Sequence, residues 1–516
     1  MRSLFTLASL ALFAAPVVAQ ELKWANDYFY IDNQTEATKI AVAPDKRIAV
    51  AGEFSSHNYS RQGAFVCGLD HHGNVTWIDT VFQHSTHFPQ AATGALMFNK
   101  SGHLYFAVNY QDSIKFKGNY YHGSGNCALL VKYDNAGTPL WIKNIPFARV
   151  NDVHCDKKNN TFVMLTMYHD LSAFGHTISV EGSSDVAIVK LSPADMVLDM
   201  WHVKGNNNGH SVKTTIDGDV LIFGSWADSL HYLGHHYDWS HKDGYDGYLL
   251  RTDSAGALLA FTPVFTSMFM QAVDMDVLEN GNAMVCGYLS YKDGSWSYLE
   301  TYDKSGSKVG EGQFSAFGYG AGNRIKDLAT YKNNCWALHK IYHTVNYGLE
   351  FDDYHLFNLC KYNGGVTKLL GDTFNLPLQF NATGALCVDD DGDIYMASTL
   401  MINDTIQIGD RLLINNDEYD LHSTFFIAKF ADRQNTLAIP ETRGRITSAL
   451  YPNPSNGVFF LKDNQEADVA VYNLLGAKVY STSARGSVNL QHLEKGVYLA
   501  EVRTGQATGL QKIVLK

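Results

Sequence analysis

The 516-residue chain carries 40 Lys and Arg against 52 Asp and Glu, a formal net charge of −12, so it offers no basic field for a phosphate backbone and nucleic acid is excluded as a partner. The length exceeds one ordinary core and asks for two or more units. Tyr (29), Phe (28) and Trp (8) are plentiful beside only 11 Pro, a composition that favours strands over helices.

In chain order, Arg2 precedes an apolar run from Leu4 to Val18 broken only by Thr6, Ser9 and Pro16. This is the layout of a secretory signal peptide, with Val17 and Ala19 fitting the small-residue rule for cleavage after Ala19. The run falls short of the roughly 20 residues that a bilayer core needs. No later segment is long and apolar enough to span as a helix, so a water-soluble mature chain beginning at Gln20 is expected. The seven cysteines, Cys67, Cys127, Cys155, Cys286, Cys335, Cys360 and Cys387, form no CxxC pair and sit mostly inside apolar runs. They read as buried thiols rather than a disulfide framework, although export would permit bridges.

From there to about residue 436 one pattern recurs with a spacing of roughly 55 to 60 residues, the kind of period that marks a repeat architecture. An apolar run, a polar turn and a second apolar run are followed by another hairpin. The first turns lie at Pro44-Asp45-Lys46, Lys100-Ser101-Gly102, Lys158-Asn159-Asn160, Asp217-Gly218-Asp219, Asn280-Gly281-Asn282, Lys332-Asn333-Asn334 and Asp391-Gly392-Asp393. Asp-Gly and Asn-Gly tolerate positive φ and predict two-residue hairpin turns. Four strands per unit, seven times over, predicts an all-β fold, a seven-bladed β-propeller whose ring leaves only short edges. The repeats are degenerate enough that six or eight blades also fit. The seventh unit lacks a fourth strand before Pro440, and Leu22-Lys23-Trp24 resembles the fourth-strand pattern Val75-Thr76-Trp77. The N-terminal strand is therefore expected to complete the last blade.

Asp70-His71-His72-Gly73-Asn74, Phe174-Gly175 and Asp390-Asp391-Gly392-Asp393 resemble the turns and Phe-Gly element of a family of bacterial propeller repeats, a resemblance that covers residues 20–436. After a linker at 437–448, the texture changes to short alternating strands, which predict a small antiparallel β-sandwich. Its motifs are Tyr451-Pro452-Asn453-Pro454-Ser455-Asn456-Gly457, then Tyr472 to Gly476, then Gly496-Val497-Tyr498. They resemble the C-terminal sorting domain of type IX secretion cargo in the Bacteroidota, across residues 449–516. The resemblance implies a route through the periplasm, recognition by the type IX machinery at the outer membrane, and a surface or extracellular destination.

Strand alternation places the short turns on one face and the connections between second and third strands, and between blades, on the other. Long segments near 52–63, 108–126, 166–184, 225–245, 340–353 and 399–422 collect there, where function tends to sit above a rigid scaffold. The richest holds Trp226, His231, His235, His236, Tyr237, Trp239, His241 and Asp243. Aromatic faces with His and Asp could stack on sugar rings or hold a metal. The alternative, favoured because no zinc-type spacing is present, is extra strand with packed aromatics and solvated histidines. The Asp389 to Asp393 run lacks the distal bidentate Glu of a helix-loop-helix calcium site and reads as a turn. Gly318-Tyr319-Gly320-Ala321-Gly322 lacks the strand and helix of a dinucleotide loop, and His84 with His87 reads as a loop feature.

There is no Gly-x-Ser-x-Gly elbow, His-Glu-x-x-His or Walker loop, so neither catalytic residues nor a cofactor or metal are assigned. The expected function is a surface or secreted protein that binds a glycan, peptide or surface protein through its long-loop face. The second reading is a secreted hydrolase or lyase with a site at the mouth of the propeller channel.

Overall fold

The computed structural model describes residues 20–28, 34–56, 62–83, 91–238, 246–264, 270–291, 294–315, 322–346, 351–376, 384–400, 405–408, 411–415, 423–432, 450–461, 466–473, 478–504 and 507–516. The signal peptide and linker expectations lie outside these residues. The described chain is all-β, and it divides into two compact units, Met1–Asp432 and Arg433–Lys516.

The described residues of the first unit form seven groups of four antiparallel strands. Sheet I is Gln34–Val42, Ile48–Ser55, Gln62–Leu69 and Val75–Gln83; sheet II is Ala92–Phe98, Leu104–Tyr110, Cys127–Tyr133 and Pro139–Pro146. Sheet III is Ala148–Cys155, Thr161–Met167, Asp185–Leu191 and Val197–Val203; sheet IV is Asn207–Thr214, Val220–Trp226, Asp246–Thr252 and Leu258–Val264. Sheet V is Met270–Val277, Ala283–Tyr291, Gly294–Tyr302 and Lys308–Ser315; sheet VI is Gly322–Tyr331, Asn334–Asn346, Phe351–Asn363 and Lys368–Leu376. Sheet VII is Gly384–Val388, Ile394–Leu400 and Thr424–Asp432, with Gln20–Asp27 as its outer strand, Trp24 opposite Lys429 and Asp27 opposite Phe426.

The middle strands are buried on both faces, which explains their unbroken apolar runs, whereas the fourth strands alternate. Burial on both sides requires a neighbour on both sides. Seven hydrophobic clusters supply it, each shared by two consecutive sheets, and the cluster of Tyr395, Ala397 and Phe425 with Val50, Phe65 and Cys67 joins sheet VII back to sheet I. The first strands touch one another in the same cyclic order.

The turns differ from expectation in one respect. At Thr215–Asp219 the amide of Gly218 donates to Thr215 O and that of Thr215 to Asp219 O, with Gly218 left-handed at φ 95°. This is a three-residue loop with a bulge, not a two-residue turn. The same pair of bonds closes Ala43–Arg47, Asp70–Asn74, Asp134–Thr138, Asp253–Ala257, Asp303–Ser307 and Asp389–Asp393. In the aspartate-led turns Oδ1 accepts the amides two and four residues on, as Asp389 does from Asp391 and Asp393. In the Asp389 turn the carboxylates are also ion-paired, Lys46 with Asp389 and Asp391 and Lys429 with Asp393.

All seven cysteines are free thiols, six of them buried and Cys387 half-buried. No helix among the described residues is long and apolar enough to cross a membrane.

In the second unit Leu450–Tyr451, Val458–Leu461 and Ser487–Asn489 form one sheet. Lys478–Arg485, Glu466–Tyr472, Gly496–Thr504 and Ala507–Leu515 form the other, in that spatial order. Phe459, Leu461, Val469, Val471, Val488, Val502 and Ile513 make the core between them.

Candidate functional site

Among the described residues, four of the connections between second and third strands carry an inserted hairpin. They are Ser113–Phe116 with Asn119–His122 in sheet II, Leu171–Ala173 with His176–Ile178 in sheet III, Ser229–Tyr232 with His235–Asp238 in sheet IV, and Thr405–Ile408 with Arg411–Ile414 in sheet VII. The first three turn through two residues of positive φ, Lys117-Gly118, Phe174-Gly175 and Leu233-Gly234, the geometry that matches strand twist. Each hairpin touches the outer strand of the preceding sheet. The repeated consequence is a cleft between that outer strand and the hairpin.

Lys143, Asn144, Ile145, Ser172, Phe174 and His176 line a cleft of about 380 Å³ between sheets II and III. The next, about 520 Å³, lies between sheet III and the sheet IV hairpin, lined by Glu181, Trp201, His202, Lys204, His231 and Leu233. Its walls are fixed by backbone: Lys204 and His231 exchange two N–H to O bonds of 2.9 Å. Gly205, at φ 105°, permits this approach, since a Cβ there would collide with the Ser229 carbonyl.

Of the two imidazoles of this cleft, His202 is held directly by a carboxylate and His231 by a second imidazole that itself meets one. His202 Nε2 lies 2.7 Å from Asp185 Oδ2, and the fully buried Asp185 also accepts the amides of Glu181 and Gly205 at 2.8 Å. His231 Nε2 lies 2.8 Å from His236 Nδ1, and His236 Nε2 lies 2.6 Å from Asp238 Oδ1. The arrangement that satisfies every atom has His231 donating to His236 and His236 donating to Asp238. Lys204 pairs with Glu181 at 2.5 Å and holds that carboxyl below its usual range.

The residues singled out from sequence separate into three groups. His231 enters the cleft, while His235 and His236 are exposed on the hairpin. Trp226 is 3 % exposed and packs edge-on against Phe261, so it is a core residue of sheet IV rather than a recognition surface; Tyr237 stacks on the same ring at 3.7 Å. Trp239, His241 and Asp243 lie outside the described residues, as do His84, His87 and Gly318–Ala321. Asp185, Trp201, His202 and Lys204 escaped the sequence reading because they sit at the ends of ordinary sheet III strands, and Glu181 because it lies in the connection ahead of Asp185. Among the described residues no group of three or more His, Cys, Asp or Glu is placed to hold a metal ion.

A second polar region lies between first strands. Asp152 Oδ2 accepts Val212 N at 3.0 Å, Ser211 Oγ at 3.0 Å and Lys213 Nζ at 2.8 Å, tying sheet III to sheet IV. Asp276 accepts Thr330 N and Asp327 accepts Leu386 N, both at 2.7 Å, so these carboxylates join each sheet to the next. Burial raises Asp276, and burial with the neighbouring Asp274 raises Asp327 well above the carboxylate range. Their hydrogen-bond partners identify them as structural staples.

Comparison with known proteins places one part of the chain. Residues 449–516 match the family described as the secretion system C-terminal sorting domain. The chain is thus a cargo protein of type IX secretion, exported through the periplasm to the cell surface or extracellular space, and this unit interacts with the secretion machinery. Asn453, Ser455 and Gly457 of its motif are structural. Val514 N donates to Asn453 Oδ1, Ser455 exchanges backbone bonds with Val514 and Lys516, and a Cβ at Gly457 would meet Gln491. The Tyr498 hydroxyl donates to Glu494 O at 2.8 Å. Tyr451 is exposed beside Phe460, whereas Gly476 lies outside the described residues.

No curated protein matches the sequence. Among solved structures, a polysaccharide lyase, an ulvan lyase, matches at 9 % identity and TM-score 0.42, covering 77 % of this chain and 96 % of its own. The extracellular domain of a hybrid two-component system from B. thetaiotaomicron matches at 9 % identity and TM-score 0.27, covering 93 % and 81 %. A Synechocystis apocarotenoid oxygenase mutant matches at 8 % identity and TM-score 0.39, covering 79 % and 97 %. Likeness at this level fixes no activity.

Proposed function

We propose that this type IX cargo protein presents a seven-bladed β-propeller, residues 20–436, whose hairpin face binds an extended glycan or peptide outside the cell. Residues 1–19 are its signal peptide and 437–448 the linker to the sorting domain. Seven cores shared in cyclic order, and an outer strand of sheet VII drawn from the N-terminus, support the ring.

The observation that carries the binding reading is the repetition of clefts. Inserted hairpins border grooves at two successive sheet boundaries, mixing exposed apolar groups, such as Leu233 at 65 % exposure, with Lys143, His176, Lys204 and His231. A polymer crossing from one groove to the next meets similar chemistry each time, which suits a repeating ligand. The test is a glycan and peptide array probed with the purified chain, followed by Phe174→Ala and Leu233→Ala. Retention on one ligand class, weakened in both variants, is the expected result. Unchanged retention in both variants would remove the clefts from the reading.

One observation favours hydrolase or lyase activity instead. His202 and His231 reach the same cleft from consecutive sheets, His202 against Asp185 and His231 against His236, which meets Asp238, so two titratable rings are positioned for acid–base work. This site lies at a sheet boundary under a hairpin, away from the channel mouth. Turnover of an array ligand that His202→Asn abolishes while binding persists would decide for the enzyme.

A further inference from the structure

The four-stranded sheet of the C-terminal unit has two edges, and the structure treats them differently. The edge formed by Ala507–Leu515 is covered within the chain. Ser455 N donates to Val514 O and Lys516 N to Ser455 O, both at 2.9 Å, while Asn453 Oδ1 accepts Val514 N at 2.9 Å. An extended segment of the sorting motif thus closes that edge by main-chain pairing.

The opposite edge, Lys478–Arg485, has no strand on its outer side among the described residues. Its sequence, Lys-Val-Tyr-Ser-Thr-Ser-Ala-Arg, holds no proline and carries charge only at its two ends. The one irregularity of its ladder falls at Val471/Tyr472, beside Lys478 and away from the run Ser481–Arg485. Proteins that need to stay unpaired blunt such an edge with a central lysine, a proline or a bulge. Here those devices are missing from the middle of the strand.

A groove of about 320 Å³ lies on the sheet face across this strand and its paired neighbour, lined by Asp468, Ala470, Tyr472, Lys478, Ser481, Thr482 and Ser483. Small side chains at Ser481, Ser483 and Ala470 leave the approach low, and Asp468 with Lys478 supplies polar contacts. Edge pairing gives affinity through the main chain, and a recess on the adjoining sheet face can receive a long side chain reaching back from the added strand.

We propose that Lys478–Arg485 is the docking edge of this cargo, and that a protein of the outer-membrane export machinery adds an extended strand to it. The occupant follows from the sorting-domain match, since this unit is what that machinery reads. The inference rests on that match and not on the ligand reading of the first unit.

The test measures export of the full chain from cells that carry the machinery, as the fraction outside the cell against the fraction retained. Thr482→Lys puts a charge on the face shared with Tyr480 and Ala484, which pack on the core, where a lysine stem can lie along apolar surface while its head blocks an incoming strand. Ser481→Pro removes an edge amide or a ladder amide. Thr482→Val keeps both the backbone and the uncharged face. Hydrogen exchange at Val469 and Val471 in each purified chain reports whether the sheet is intact.

With the sheet intact, the lysine and proline variants should be exported about tenfold less, the scale set by losing one or two main-chain hydrogen bonds, while the valine variant leaves as the parent does. If the proline variant loses protection, the lysine variant decides alone. Normal export of Thr482→Lys with protection retained overturns the proposal, and so does equal loss in Thr482→Val. Export of a chain lacking residues 449–516 would instead overturn the sorting reading.

Discussion

The indole of Trp77, on the outer strand of sheet I, lies against Gly137 in the last turn of sheet II and stacks on Tyr133 at 5.2 Å. Gly137 is left-handed at φ 81°, and a Cβ there would enter the indole ring. Gly137→Ala therefore meets backbone strain and overpacking together, about 2–4 kcal/mol. Trp77→Ala should cost about 3 kcal/mol by leaving a cavity. In thermal melts the double variant should lose less than the two singles combined, because the clash vanishes with the indole. Additive losses would show that the two sites are independent.

Much of this contact was legible in sequence, but only as two separate facts. Gly137 reads as a turn and Trp77 as a fourth-strand residue; that one covers the other depends on how one sheet stacks on the next, which no local pattern encodes. The middle strands were readable because burial on both faces leaves uninterrupted apolar runs such as Val163 to Leu165. The inserted hairpins were harder, since their strands are three or four residues long. Their usable signal is a residue before glycine at a two-residue turn, as in Phe174-Gly175. The cleft of His202 and His231 was invisible for a different reason: Asp185 and His202 are 17 positions apart and meet through register, not periodicity.

Trp24 repeats the role of Trp77 one sheet earlier in the cycle. Its ring approaches Gly73 of sheet I, and the Tyr28 hydroxyl donates to Gly73 O at 2.9 Å. Deleting residues 20–34 should lower the melting temperature sharply, because sheet VII loses its outer strand and sheet I the cover of its turn. Trp24→Ala alone should cost about 3 kcal/mol. An unchanged melt after the deletion would count against closure by this strand.

Asp152 offers a test of the staples between first strands. Asp152→Ala would leave Val212 N and the Lys213 ammonium without their carboxylate, and Lys213, lowered by burial but raised more by Asp152, Asp274 and Asp276, would lose its nearest anion. The expected loss is about 3 kcal/mol. Asp152→Asn keeps an acceptor and should lose less. Chemical denaturation of both variants separates the outcomes, and equal losses would mean that charge, not hydrogen bonding, does the holding.

Stability should also depend on pH between about 4 and 7, in two opposing senses with identifiable causes. Burial lowers His154 and His339 to about 3 and His210 to about 4, from 6.5. Folding therefore favours their neutral forms. The contribution is complete above pH 6.5 and is lost as pH falls from 6.5 toward 4, where the unfolded chain takes the protons first. His339 shows why: its Nδ1 faces Asn323 Oδ1 at 3.0 Å, and its Nε2 accepts the Tyr362 hydroxyl at 2.9 Å, so a second ring proton would displace that donor. Glu53 acts in the opposite sense. Burial raises it from 4.5 to about 7, Thr93 N and the Thr38 hydroxyl lower it in part, and Glu36 raises it further. Its neutral form suits the fold, so stability is complete below pH 4.5 and is lost as pH rises from 4.5 to 7, by about 3 kcal/mol. Glu53→Gln should accordingly raise the melting temperature relative to the parent at pH 8 and leave it unchanged at pH 4. His339→Gln should remove part of the loss on acidification from pH 6.5 to 4 without changing the Glu53-dependent loss as pH rises from 4.5 to 7. A Glu53→Gln chain that gains nothing at pH 8 would mean that this carboxylate is comfortably ionised in the folded protein.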